Sequence, residues 1–230
     1  WRARDIMDSA LRKKIISDHL IVPIPKVVLL IEGYTEEIVI GVLLNAFGLI
    51  PENEGITIHN FEGTGGISPF NACAVLQIAK SQNIARYLII DNDPGAEELV
   101  KELAERLKLL DDDCYRIWEK DFEYDNFGLD MVVNNVNEKL AEQNLAAIET
   151  SAVKDRMATH PEERLWKAVH NVYWVKNRVE VDDVISKTSL ARNLSIKRAE
   201  EIQEETKNNK YTPKWKIEEE IVKIYERFCR

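Results

Sequence analysis

Four carboxylates stand at the ends of two short apolar runs, and their spacing is the first chemical feature of this chain. Val27-Val28-Leu29-Leu30-Ile31 runs into Glu32, with Glu36 four residues later. Tyr87-Leu88-Ile89-Ile90 runs into Asp91-Asn92-Asp93. Both runs are short, rich in β-formers and without polar alternation, the pattern of parallel strands buried on both faces. In open α/β sheets the ligand crevice lies outside the carboxyl ends of the strands. Glu32, Glu36, Asp91 and Asp93 are therefore expected along one edge, where their charges repel unless protons or cations intervene. Hard divalent cations, Mg²⁺ above all, suit such an all-oxygen set. A further apolar stretch, Cys114 to Trp118, is followed by Glu119, Asp121 and Glu123. Asp121 and Glu123, two residues apart, are candidates to join the same site.

Each acid also has a plain structural reading. Glu36 and Glu37 follow Thr35, a reasonable helix N-cap, and first-turn acids complement the helix dipole. The run Asp111-Asp112-Asp113 reads as a solvated loop, the usual fate of like charges in sequence. The turn Glu62-Gly63-Thr64-Gly65-Gly66 would let backbone approach a phosphate, so Gly63, Thr64, Gly65 and Gly66 are phosphate-contact candidates; a tight strand-to-helix turn explains them equally well. The chain has neither the Gly-Lys-Ser/Thr ending of a P-loop nor a dinucleotide fingerprint. His19, His59, His160 and His170 form no helical ligand pair, and Cys73, Cys114 and Cys229 form no Cys-x-x-Cys. Zinc and a disulfide framework are thus disfavoured, and a reducing cytoplasm is the expected setting.

The elements that must position these acids follow in order. Residues 1–25 read as a connecting helix closed by Pro23 and Pro25. Strands are expected near 27–32, 56–61, 86–91 and 114–118. Helices are expected from Thr35 to a stop at Gly48, from Pro69 to Ser81 and from Ala96 to Leu109. From Met131 onward β signals fade. Helices run to about Tyr173 with a joint near His160-Pro161. A short helical region follows around Lys187, including Asp182 and Asp183, and a helical tail is broken at Lys207–Lys210. Tyr34, Tyr87 and Tyr115 are expected in or beside the core.

The formal net charge is −9 and unevenly spread. Residues 1–26 carry six Lys/Arg against three Asp/Glu and residues 181–230 carry eleven against ten, which leaves −13 for residues 27–180. The acidic centre coincides with the proposed metal site. Strong nonspecific DNA binding normally needs a basic surface, although bound cations would reverse the local charge. No apolar run is long enough to span a bilayer, and no signal peptide opens the chain. The chain begins at Trp1, so a fragment of a longer protein is expected.

Taken together, Glu32-Gly33-Tyr34-Thr35-Glu36, the glycine turn at 63–66 and Asp91-Asn92-Asp93 resemble a Toprim domain, the module shared by topoisomerases, primases and OLD-family (overcoming lysogenization defect) nucleases. The Thr-Glu-Glu sequence and the long helical insertion resemble the OLD type. The resemblance implies an α/β fold with a mainly parallel four-stranded sheet flanked by helices and a helical C-terminal part. It divides the chain into residues 1–25, a Toprim catalytic core at 26–125, and a helical insertion and C-terminal region at 126–230. It also implies a late acid, matched by Glu123, and a lysine beyond the insertion, best matched by Lys187. Thr64 stands where some OLD proteins carry a basic residue, and Asp121 where a small hydroxyl often sits.

The function so implied is a metal-dependent DNA endonuclease using two Mg²⁺ or Mn²⁺ ions about 4 Å apart. Ca²⁺ is a candidate structural or inhibitory substitute. Glu32 and Glu36 would hold one ion and Asp93 and Glu123 the other. Asp91 would bridge them, and Lys187 would stabilise charge on the phosphate. The expected partners are DNA and an upstream ATPase domain of the same longer chain, with phage defence as a candidate setting and a homo-oligomer left open. Two alternatives remain: a topoisomerase-type module, which needs an activated tyrosine, and a non-catalytic Toprim-like binding module in a defence complex.

Overall fold

A computed structural model describes residues 25–61, 69–177 and 184–230. The expected connecting helix over residues 1–25 lies outside the described residues except for Pro25, and so do Gly63, Thr64, Gly65, Gly66, Asp182 and Asp183.

The chain alternates strand and helix through its first half. Strand β1 (Val27–Ile31) leads to α1 (Tyr34–Ala46), the single turn α2 (Pro51–Glu54) and β2 (Ile56–Asn60). Helix α3 (Pro69–Ser81), β3 (Ala85–Ile90), α4 (Ala96–Lys101) and β4 (Tyr115–Ile117) follow. The sheet order is β2-β1-β3-β4, and every pairing is parallel. Placing β1 and β3 in the middle explains their composition, because only side chains that tolerate burial on both faces fit there. Val27, Leu29, Ile31, Tyr87 and Ile89 point to one face, and Val28, Leu30, Leu88 and Ile90 to the other. The second face is covered by Ala72, Leu76 and Ala79 of α3 and by Ala96 and Val100 of α4.

The first face is covered more heavily. Helices α5 (Phe122–Asn126), α6 (Gly128–Glu142), α7 (Thr150–Thr159), α8 (Leu165–Asn177), α9 (Lys187–Lys207) and α10 (Lys216–Ile224) share one apolar core with α1 and the sheet. Helix α9 packs along α1. The C-terminal helices thus roof the first helix of the α/β half, which brings residues from far along the chain back to the sheet.

Several boundaries differ from the sequence expectation. Helix α1 starts at Tyr34 with Gly33 as its extended N-cap, so Thr35 lies buried in the first turn and its side chain caps nothing. The chain turns directly off the strand end, two residues earlier than a Thr35 cap requires. Gly48 does end the helix, with φ of 72°. The helix after β3 is α-helical only to Lys101 and continues as a π-helical turn over Glu102–Arg106. Leu109 follows that turn and is buried against the sheet. The region around Lys187 and the helix expected from Ser195 are one continuous helix, begun by Ser186, whose side chain accepts from the Ser189 N–H. Tyr34 and Tyr115 are 52% and 38% exposed, so of the three tyrosines only Tyr87 is a core residue.

Candidate active site

Parallel strands deliver their carboxyl ends to one edge, and five acids collect there. Glu32 follows β1, and its Oε2 accepts the Asp91 N–H at 3.1 Å, tying the ends of the two central strands together. Asp91 follows β3, with Oδ1 accepting the Phe122 N–H at 2.9 Å. That bond fixes the start of α5 against β3 and places Glu123 in the first turn of α5. Glu36 occupies the first turn of α1, buried. Asp93 is more open.

The electrostatics show an under-compensated set. Glu36 is pushed well above the ordinary carboxylate range, first by burial and then by the charges of Asp91 and Glu123. Asp91 is raised to about 7, by burial and then by Glu32, against the opposing pull of Arg164. Glu123 is raised by burial, which Lys187 opposes. Mutual elevation of this kind is the signature of like charges sharing one desolvated site.

Two cations answer the acids. Lys187, the first residue of α9, places Nζ 2.9 Å from Glu123 Oε1. Burial works against its charge, but Glu123, Glu36 and Asp91 outweigh that and keep it protonated beyond its ordinary range. Arg164, just before α8, places Nη1 2.9 Å from Asp91 Oδ2 and Nη2 3.6 Å from Glu32 Oε1, and Nη2 also contacts Asp93 Oδ1. Lys120, next to Asp121 in sequence, lies over the Tyr124 ring. Nothing in the Arg164 neighbourhood announces its role, since it precedes an apolar helix 71 residues from Asp93.

Asp121 has a different task from that of a ligand. It is fully buried, and both of its oxygens are taken by backbone N–H groups: Oδ1 by Tyr124 at 2.7 Å and Oδ2 by Leu165 at 2.7 Å. It caps α5 and pins the start of α8, so a single carboxylate positions both Glu123 and Arg164. Of the other candidates, Glu119 is exposed and pairs with Lys216, and the exposed Asp111 pairs with the buried Arg86.

The donor set is one of hard carboxylate oxygens, which suits Mg²⁺ or Mn²⁺. Glu123 is 1% exposed, and its Oε2 has no hydrogen-bond partner among the described residues, an orphaned buried acceptor on a side chain close enough to raise Glu36 and Asp91 by its charge. A cation would satisfy it. As placed, however, no three His, Cys, Asp or Glu side chains among the described residues form a ready-made ligand cage. The guanidinium of Arg164 and the ammonium of Lys187 stand among the acids instead.

A parallel sheet carrying clustered acids at its carboxyl edge defines the class, an α/β protein with an acidic site at that edge. Residues 25–93 match the model of the overcoming lysogenization defect protein-like Toprim domain. Glu32, Glu36, Asp91 and Asp93 fall inside the match; Glu123, Arg164 and Lys187 fall outside it. No curated protein matches the chain. The chain is similar to the solved C-terminal region of the OLD protein of Xanthomonas campestris pv. campestris, at 15% identity and a TM-score of 0.47, over 81% of this chain and 98% of that one. It is also similar to the C-terminal region of the Burkholderia pseudomallei OLD protein, at 17% identity and a TM-score of 0.46, over 81% of this chain and 99% of that one.

Proposed function

We propose that this protein is a metal-dependent endonuclease that cleaves DNA phosphodiester bonds. The observation that carries the reading is the buried Glu123 carboxylate, with one oxygen unpartnered, in electrostatic contact with Asp91 and Glu36, all three held above their ordinary pKa at the carboxyl edge of the parallel sheet. Toprim domains in general bind divalent metals. Glu32, Glu36, Asp91, Asp93 and Glu123 would hold two Mg²⁺ or Mn²⁺ ions. When bound, such ions supply an activated water and stabilise the leaving oxygen. Asp121 is left out of the ligand set because its oxygens already serve backbone N–H groups.

The chain's own residues do the remaining work. Asp91, central among the acids, anchors α5 and so sets the distance between Glu123 and the β1–β3 acids. Lys187 reaches the cluster from α9 and presents a point charge to a phosphate oxygen. Such a preorganised cation stabilises charge that develops in the transition state. The glycine turn at 63–66 remains a proposed phosphate contact.

The wider setting is part of the same proposal: DNA as substrate, an upstream ATPase domain in a longer chain, a cytoplasmic location and a role in phage defence. Among the described residues no helix is long and apolar enough to cross a membrane.

The reading is tested by incubating supercoiled plasmid with the protein and Mg²⁺ or Mn²⁺, with and without EDTA. Nicked or linear product that EDTA abolishes is expected. Relaxed closed circles with a denaturation-resistant protein–DNA adduct would replace this reading with strand passage. Tyr87 is a poor nucleophile for that route: it is buried, donates to Glu220, and is held protonated far beyond its ordinary range by burial and that bond.

A further inference from the structure

Of the two cations at the acidic site, Arg164 has a backbone braced on both sides. On its N-terminal side, Glu163 is clamped by Arg156, with Nε to Oε2 at 2.8 Å and Nη2 to Oε1 at 2.5 Å, and it also accepts from Asn171 at 3.0 Å. On its C-terminal side, the Leu165 N–H is held by Asp121. Braced at both neighbours, the backbone aims the Arg164 side chain at Glu32, Asp91 and Asp93. These are three of the five carboxylates assigned above to metal. A guanidinium is permanently charged and donates through a rigid planar fork. It therefore gives the acids what an ion would give them, positive charge directed at their oxygens, without being one.

We propose that Arg164 is a built-in competitor for the metal: it holds the acidic set together when no ion is bound and must leave those oxygens before a divalent cation takes them. Two cations on Asp91 Oδ2 would repel at contact distance, so occupancy by one opposes the other. Because its backbone is pinned, the displaced guanidinium stays at the carboxyl edge of the sheet. There it meets the phosphate that the metal also attracts, and a phosphate accepts the same two-pronged donation as a carboxylate. Metal loading and engagement of the substrate are thereby linked through one side chain. This inference deepens the metal-site reading and rests on it.

The test is Mn²⁺ binding without DNA, followed by electron paramagnetic resonance, for wild type, R164Q and R164K, together with melting of each protein in metal-free buffer. R164Q is expected to bind Mn²⁺ about tenfold more tightly, equivalent to removing ~1.4 kcal/mol of competition, and to melt lower without metal. R164K keeps the charge but loses the fork and falls between. Unchanged or weaker Mn²⁺ binding by R164Q overturns the proposal. If R164Q does not fold, R164K decides alone: tighter binding supports the competitor and equal or weaker binding overturns it. Failure of all three proteins to bind Mn²⁺ overturns both this inference and the metal site beneath it. Tight Mn²⁺ binding by R164Q with no cleavage by wild type would instead discard the nuclease reading and leave the competitor standing.

Discussion

Helix α9 carries two cations, half-buried Lys187 at its first residue and buried Arg198 past its middle, and the two sit in opposite electrostatic surroundings. Arg198, 3% exposed, makes a two-pronged pair with the fully buried Glu218 at 2.7 and 2.9 Å, and it also donates to Glu201, Glu205 and the Thr212 carbonyl. Glu218 accepts from Tyr211 as well. Glu201 and Glu205 are held below the ordinary carboxylate range, by Lys214 first and then also by Arg198. At the start of α9, Lys187 faces acids held above that range, one of which has an unpartnered oxygen. A network that ties helices together satisfies its acids. The crevice leaves its acids short of positive charge, a cost that makes sense when a ligand supplies the remainder.

The largest effect expected from breaking this contrast is on activity. Asp91→Ala should reduce plasmid cleavage to background, because Asp91 lies at the centre of the proposed ligand set and anchors α5. The effect on stability should be largest further along α9, at Arg198. Arg198→Ala leaves Glu218 buried without its partner and should lower unfolding stability by about 3–5 kcal/mol, read by urea titration. Next comes Lys187→Ala, expected to lower turnover by roughly 10²-fold, as loss of one electrostatic stabiliser does, with Mn²⁺ affinity little changed. A Lys187→Ala protein with full turnover would reduce that residue to a charge-balancing role.

The smallest effect is a slope with pH. The folded-state pKa of Asp91, about 7, exceeds its unfolded value near 3.8, so the folded protein binds the extra proton. Its contribution to stability is fully present below about pH 4 and is lost as pH rises to about 7. The signs at Glu201 and Glu205 are reversed, since depressed carboxylates lose their contribution as pH falls below the ordinary glutamate range. In metal-free buffer, Asp91→Asn should therefore flatten the decline in melting temperature between pH 4 and 7 while leaving the acid limb intact. An unchanged decline would place its origin in another group.

The sheet was legible because β1 and β3 are buried on both faces, so Val27–Ile31 and Tyr87–Ile90 need no partner to declare themselves. Their terminal acids followed from the rule that strands deliver ligands at their carboxyl ends. Glu123 was flagged only as one of two acids beyond the fourth strand, and Lys187 became visible only through family resemblance. Arg164 was not legible at all. Its site is made by Asp121 reaching from one helix start to another, a tertiary bond with no local pattern. Asp121 itself was misleading, because an acid two residues before Glu123 resembles a second ligand, whereas the fold uses both of its oxygens on backbone. Thr35 failed as a cap for a simpler reason: Gly33 lets the helix begin directly off the strand.

The measurement closest to the central claim joins cleavage and folding in one variant. Asp91→Asn should be assayed for Mn²⁺-dependent nicking of supercoiled plasmid and melted in metal-free buffer at pH 7.5. A site built to hold metal predicts lost nicking with a melting temperature equal to or above wild type, because removing one of several crowded charges relieves repulsion. Full nicking by Asp91→Asn, or lost nicking accompanied by a markedly lower melting temperature, would contradict the assignment and make these acids part of the scaffold.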